Sequence, residues 1–287
     1  MGGWQLQAIT AKVITRQFVA AMRRAGAGDA TMVYALAVLQ SVLSFAVAEG
    51  RIVENPVRAV RKPSKAVERD VPPVAPAQVE AMRVLLRARS TRTGVRDAAI
   101  ISLLAYEGLR PEEVLALEVD DIGQKLRVRR KNVDGSLLSY TKTRRKRSVP
   151  WSAPVVRQDV NEYLLATGIR RGLLFPRADG EPWRKHDYDN WRKRVYQPVA
   201  RKVELPKPRP YDLRGSYVSL LAAEGYTLLE VSRYAGHSVQ TCETYYAKIF
   251  DDVDPANRLP AEQAIRAARE PGVSGVARLF DIAGGTS

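Results

Sequence analysis

Near the C-terminus the stretch "GHSVQTCETYYAKI" sets two adjacent tyrosines, Tyr245 and Tyr246, shortly after His237. A tyrosine phenol can attack phosphorus and keep the phosphate as an ester. The ester stores the energy of the broken bond, so resealing needs neither ATP nor a metal. That chemistry makes demands. Charge building on the non-bridging oxygens needs cations, which the arginine fork suits, and the departing oxygen needs an acid. The chain is rich in the first requirement: 46 Lys and Arg stand against 31 Asp and Glu in 287 residues, a formal charge of +15. Such a surplus favours a polyanionic partner, nucleic acid first and an anionic membrane surface second. Two histidines and one cysteine point away from a zinc site, and a lone Cys242 excludes an internal disulfide and fits a reducing cytosol. No metal and no cofactor is expected.

Four segments fit these demands in order along the chain: "YEGLRPEEVLAL", "TKTRRKRSVP", "RPYDLRGSYVSLLAAEG" and "YAGHSVQTCETYYAKI". Together they resemble the boxes of the tyrosine recombinase (phage integrase) family, over roughly residues 95–250. The resemblance places the first catalytic arginine at Arg110, with Glu113 as the acidic residue that props up the site. It places the β-hairpin lysine at Lys142, the second arginine at Arg214, and the Leu-Gly-His histidine at His237. The nucleophile follows that histidine by nine residues, which selects Tyr246 over Tyr245. The family's roles then follow as implied ones. Arg110 and Arg214 hold the scissile phosphate, His237 and Tyr211 add hydrogen bonds, Lys142 protonates the 5′ leaving oxygen, and Tyr246 attacks. Arg144, Arg145, Lys146 and Arg147 are expected to face DNA.

Two positions depart from the family pattern. Tyr211 stands where a histidine is usual, and a neutral phenol is a poor proton acceptor, so the general base is left open. Gly215 stands after Arg214 where a second histidine is common. A type IB topoisomerase uses similar chemistry, but the box spacing suits recombinases better. A regulator that kept the DNA clamp and lost cleavage has only Tyr211 in its favour. Within recombinases, a phage or mobile-element integrase and a host-encoded enzyme that resolves chromosome dimers carry the same residues.

The elements that must position these residues are mainly helical. Residues 61–76 carry four prolines and no apolar period, which reads as a stiff linker. Before it, Leu36, Leu39, Leu43 and Ala46 recur at helical spacing, and Gly50 is a plausible stop. Residues 1–66 are thus expected to be a helical core-binding domain, 67–76 the linker, 77–250 the catalytic domain and 251–287 a tail. In the catalytic domain a helix ends at the Gly108 turn and a second starts at Pro111. From Lys125 to Pro150 the alternation and the Asp134-Gly135 turn predict a three-stranded antiparallel sheet with a second turn near 142–145. The fold class is therefore mainly α with a small antiparallel β-sheet.

The charge is uneven. Residues 125–147 hold ten Lys/Arg and one acid, and 184–209 hold nine and three, whereas 251–287 hold six acids and four arginines. The tail contains a helical stretch, "PAEQAIRAARE", and an apolar patch at Val276, Leu279 and Phe280. This suits docking onto a neighbouring protomer. The resemblance also implies a two-domain, C-shaped clamp on duplex DNA attachment sites and a homotetramer on two duplexes. Accessory directionality or DNA-bending proteins and a site of action in the bacterial cytosol or nucleoid, in the host for a phage protein, belong to the same implication. The chain opens on the core-binding domain, which suggests simple attachment sites or a truncated protein. No apolar run is expected to approach the roughly 18–20 residues of a membrane span, and no signal peptide is evident. Outside the boxes, His186 reads as a surface or DNA-proximal residue, Trp183 and Trp191 as core, and Cys242 as a small buried hydrophobe.

Overall fold

The computed structural model describes residues 5–63, 72–89, 91–139, 146–205, 209–244 and 260–270. Lys142, Arg144, Arg145, Tyr245, Tyr246 and the patch at Val276, Leu279 and Phe280 lie outside them. The chain divides into two compact units, Met1–Asp70 and Val71–Ser287.

The first unit is helical. A helical stretch through Ala11–Val13, Ile14–Val19 and Ala20–Arg24 precedes a long helix, α1 (Asp29–Ala48), and a 3-10 turn at Pro56–Ala59. Ile14, Val19, Met32, Leu36, Leu43, Val57 and Val60 form its core. Gly50, at φ 67°, lets the Arg51 amide reach back to the Ala46 carbonyl and end α1. The buried Asn55 ties the chain that follows onto α1, donating to the Gln40 carbonyl and Ser44 Oγ at 2.8 Å each. By length and composition α1 is apolar enough to cross a membrane, which corrects the expectation that no run comes near that length. Gln40, Ser41 and Ser44 interrupt the apolar letters without adding a charge. Met32, Leu36, Leu43 and Ala46 bury one face of α1 in the unit's own core, while Tyr34, Val38, Val42 and Phe45 stand exposed on another.

In the second unit, α2 (Pro76–Arg87) and α3 (Thr91–Tyr106) pack together, and α4 (Pro111–Val114) starts on Pro111 with Glu112 and Glu113 in its first turn. Four strands follow: β1 (Lys125–Val128), β2 (Arg130–Val133), β3 (Ser136–Ser139) and β4 (Arg147–Pro150). They form two separate antiparallel pairs, β1 with β4 and β2 with β3, instead of the expected three-stranded sheet. The break falls at Arg129. Arg129 Nε and Arg130 Nη2 both reach the Asp121 carboxylate, at 2.5 and 2.7 Å. Successive side chains of a regular strand point to opposite faces and cannot share one acid in this way. The β2–β3 turn is the expected Asp134-Gly135, both at positive φ (51° and 84°) as a type I′ turn requires.

Further helices are α5 (Pro154–Thr167), α6 (Lys185–Trp191), α7 (Gln197–Lys202), α8 (Arg214–Ala223), α9 (Leu228–Ala235) and α10 (Ala261–Arg269). One core joins them, with Met82, Leu86, Ile101, Tyr106, Phe175, Trp183, Trp191 and Tyr217 among its members. The tail helix α10 is seated on this same unit, burying Ala261, Ile265 and Ala268. Its last residue, Arg269, reaches Asp159 Oδ2 at 2.8 Å and Glu80 Oε2 at 3.1 Å, two buried carboxylates that Arg83 also engages.

Candidate active site

The site is built around the C-terminal end of α9. Thr227 and Glu230 start that helix with a reciprocal capping pair, and Gly236, at φ 68°, ends it. The last carbonyls of a helix have no partner within it and carry the negative end of its dipole. Here three successive carbonyls each receive one arginine. Arg147 Nε donates to Tyr234 at 3.1 Å, Arg214 Nη2 to Ala235, and Arg110 Nη2 to Gly236 at 2.8 Å. The arginines come from three separate places: the start of α4, strand β4 and the start of α8.

Glu113 is the anion among them and is fully buried. Its carboxylate accepts from the Arg110 amide at 2.9 Å and Arg110 Nη1 at 3.0 Å, and from Arg147 Nη1 and Nη2 at 2.9 and 2.6 Å. Burial pushes its pKa up, but the Arg147 hydrogen bonds and the charges of Arg147 and Arg110 more than offset this and hold it well below the usual carboxylate range. Among the described residues, three guanidiniums against one carboxylate leave a formal +2 at this point.

Arg214 has no exposed surface. It donates to the carbonyls of Gly108 and Ala235 and, through Nε, to His237 Nε2 at 2.9 Å. Burial, with Arg110 and Arg147 nearby, lowers its pKa to about 10, so it is charged at pH 7. Gly108 must be glycine twice over: its φ is 59°, and a Cβ there would lie 2.2 Å from Tyr217 Cδ1.

Burial and the three arginines push the His237 pKa down to about 3, so the ring is neutral. Arginine only donates, so Nε2 supplies a lone pair to Arg214 and the ring proton sits on Nδ1. Cys242 Sγ lies 3.6 Å from that nitrogen. The expectation for Cys242 as a small buried group holds, with this polar contact added; burial raises its thiol pKa to about 11. Ser238 caps the next helical residues, 239–244, through the Thr241 amide at 3.1 Å, and these lead toward Tyr245 and Tyr246.

The structure thus brings together Arg110, Glu113, Arg214 and His237. Tyr211 lies on the 3-10 turn Pro210–Leu213 just before Arg214 and is 44% exposed. Lys146 is exposed. Arg147 corrects the expectation of a DNA-facing role: its guanidinium is turned inward onto Glu113 and the Tyr234 carbonyl, with only 11% of the side chain exposed. The signal was there, because strand alternation puts Arg147 on the same face as the buried Val149. Sequence reasoning also missed Glu107. It is fully buried, accepts from the Ser152 amide and hydroxyl at 3.1 and 3.0 Å, and so fastens the Arg110 loop to the chain leaving β4. His186 is exposed and away from these groups, and Trp183 and Trp191 are core. Among the described residues no group of three or more His, Cys, Asp or Glu is placed to hold a metal ion.

Residues 76–252 match the phage integrase family. The chain is 28% identical over 257 residues to the tyrosine recombinase XerC of Mycobacterium tuberculosis, covering 86% of this chain and 81% of the relative. It is 31% identical over 265 residues to the XerC of a Methylobacterium species, covering 87% and 75%. Its fold resembles the Tn1549 transposon integrase solved with transposon right-end DNA, with a TM-score of 0.69 at 19% identity over 83% of this chain and 81% of that one. It also resembles a lambda integrase dimer bound to a COC′ core site, with a TM-score of 0.63 at 17% identity over 84% and 65%.

Proposed function

Because the chain belongs to the phage integrase family, whose members cleave and rejoin DNA, we propose that it is a site-specific recombinase working through a 3′-phosphotyrosyl intermediate. The observation that carries this reading is the convergence of Arg110, Arg214 and His237 on one helix end, eleven residues or fewer before Tyr246. In this mechanism Arg110 and Arg214 stabilise charge on the non-bridging oxygens, and their formal +2 suits a phosphorane that approaches two negative charges. The Tyr246 oxygen bonds to phosphorus, the P–O5′ bond breaks, and Lys142 gives a proton to the departing O5′. Neither Tyr211, a neutral phenol, nor His237, held neutral with Nε2 engaged by Arg214, is a strong base. The phenolic proton therefore passes to solvent. The freed 5′ hydroxyl of a second strand reverses the sequence and reseals.

Met1–Asp70 serves as the core-binding domain and Val71–Ser287 as the catalytic domain of a clamp on duplex attachment sites. A homotetramer holds two duplexes, with residues beyond α10 docking on a neighbour, and accessory proteins set direction. The protein acts in the bacterial cytosol or nucleoid. The XerC relatives favour a second reading, service to the host's own chromosome in place of a phage or mobile element. A duplicated attachment core in the DNA flanking the gene would decide for the element.

The test is adduct formation on a nicked duplex carrying that attachment core. Tyr246→Phe should abolish the covalent adduct with binding nearly intact, and Tyr245→Phe should still form it. The nine-residue spacing from His237 is what selects Tyr246 over Tyr245. Phosphate mapped to Tyr245 would overturn the assignment, and wild-type protein that binds the core but forms no adduct would overturn the function.

A further inference from the structure

Arg147 is the third guanidinium at the α9 end, and the mechanism above does not use it. Its fork makes two parallel bonds to Glu113, at 2.9 and 2.6 Å, the geometry in which arginine holds a carboxylate most firmly. Its Nε is fixed by the Tyr234 carbonyl. The backbone is shaped to receive it: a Cβ on Gly236 would sit 2.8 Å from Arg147 Nη1. Glu113 therefore faces two arginines, one held by a bidentate fork and one, Arg110, by a single Nη1 bond and its own amide. If Arg147 were absent, the fork left to the buried Glu113 charge among the described residues would be that of Arg110, since the charge cannot remain uncompensated there. Arg110 would then be drawn fully onto Glu113, and its charge cancelled.

We infer that Arg147 is a positioning residue for strand cleavage, neutralising Glu113 so that the charge of Arg110 stays available to the scissile phosphate. The inference rests on the reading of the site as one that cleaves a phosphodiester. It assigns Arg147 no contact with DNA, and it makes the need for Arg147 conditional on the charge of Glu113. A scaffold residue would show no such condition.

The experiment measures first-order adduct formation by the full chain on the nicked attachment-core duplex for wild type, Arg147→Met, Glu113→Gln and the double variant. DNA affinity across a salt series and melting temperature are measured alongside. Arg147→Met should cleave at least about 100-fold more slowly, comparable to losing one charge-stabilising donor. Its DNA affinity and salt slope should match wild type. Adding Glu113→Gln should restore at least about tenfold of the loss, because the charge that captures Arg110 is gone. The inference is overturned if folded Arg147→Met cleaves within about threefold of wild type, if its salt slope falls by about one contact, or if the double variant is no faster than Arg147→Met. Should Arg147→Met fail to fold, Arg147→Lys decides. It keeps the charge but loses the fork, and it should be slowed about tenfold and regain that rate with Glu113→Gln; no recovery overturns the inference. Wild type that forms no adduct removes the proposed function and this inference together, whereas a cleaving wild type with no rescue removes only the inference.

Discussion

Glu107→Gln should remove a fall in stability with rising pH that the wild-type protein carries. Burial raises the Glu107 carboxyl pKa from 4.5 to about 8, offset only in part by the two bonds from Ser152. Its Oε2 is buried with no hydrogen-bond partner among the described residues, a poor place for a full charge. The folded protein therefore holds this proton between pH 4.5 and about 8 while the unfolded chain releases it. The unfolded state binds fewer protons over that window, so stability falls as pH rises through it and levels off above about 8. Between pH 5 and pH 8.5 the loss amounts to about 4 kcal/mol, at 1.36 kcal/mol per unit. Glutamine keeps the oxygen that Ser152 binds and has nothing to titrate. Urea unfolding of both proteins at pH 5, 6.5 and 8.5 reads the difference. The two should be close at pH 5, with the variant the more stable by several kcal/mol at pH 8.5. A difference between them that stays constant within about 0.5 kcal/mol across the series would refute the assignment of a protonated Glu107.

Gly236→Ala should lose roughly 1–2 kcal/mol from its left-handed backbone alone and more from displacing Arg147, and should slow adduct formation. An unfolding midpoint equal to that of wild type counts against the packing described. Arg269→Ala should cost about 2 kcal/mol, because among the described residues Glu80 and Asp159 then keep Arg83 as their one shared cation beside the Tyr106 and Ser102 hydroxyls, and limited proteolysis should cut sooner after Pro260; unchanged stability and protection would show that α10 is not held by this network. Cleavage should persist in excess EDTA, since Arg110 and Arg214, with Glu113 neutralised by Arg147, supply the charge a metal would, and strict magnesium dependence of the cleavage step would contradict the mechanism. DNA affinity should fall with a log–log salt slope of roughly −5 to −9 for about 6–10 phosphates, and a nearly flat response would remove nucleic acid as the main partner.

Arg110, Arg214 and His237 are legible in the sequence through the segments "YEGLRPEEVLAL", "RPYDLRGSYVSLLAAEG" and "YAGHSVQTCETYYAKI", whose order and residues resemble the family's boxes. Arg110 sits at a helix start, Arg214 at another, and His237 just after a glycine stop, so local signals set the backbone on which each stands. What supports them is not local. Arg147 reads as one cation in a basic run, and only its pairing across 34 residues with Glu113 turns it inward. Glu107 reads as an ordinary surface acid until Ser152, 45 residues on, and the surrounding core enclose it. The sheet was misjudged for a similar reason. Alternation continues through Arg129 in the letters, but Asp121 draws two consecutive arginines to one side and splits the strand. The apolar character of α1 escapes a search for one unbroken apolar run because Gln40, Ser41 and Ser44 interrupt it, yet after Asp29 the helix carries no charge.

That three arginines are gathered by the main chain of residues 234–236 has a consequence for how the site can be altered. No substitution removes a carbonyl oxygen. A side-chain scan across Tyr234 and Ala235 would leave all three acceptors in place and report the helix end as dispensable. Variation can accumulate in those side chains without touching the arginines' alignment, while the arginines themselves and the one residue that sets the local backbone, Gly236, absorb the whole constraint. Replacing the amide after Tyr234, Ala235 or Gly236 with an ester, which weakens the preceding carbonyl as an acceptor and leaves every side chain intact, is the perturbation that would expose a function that side-chain mutagenesis cannot see.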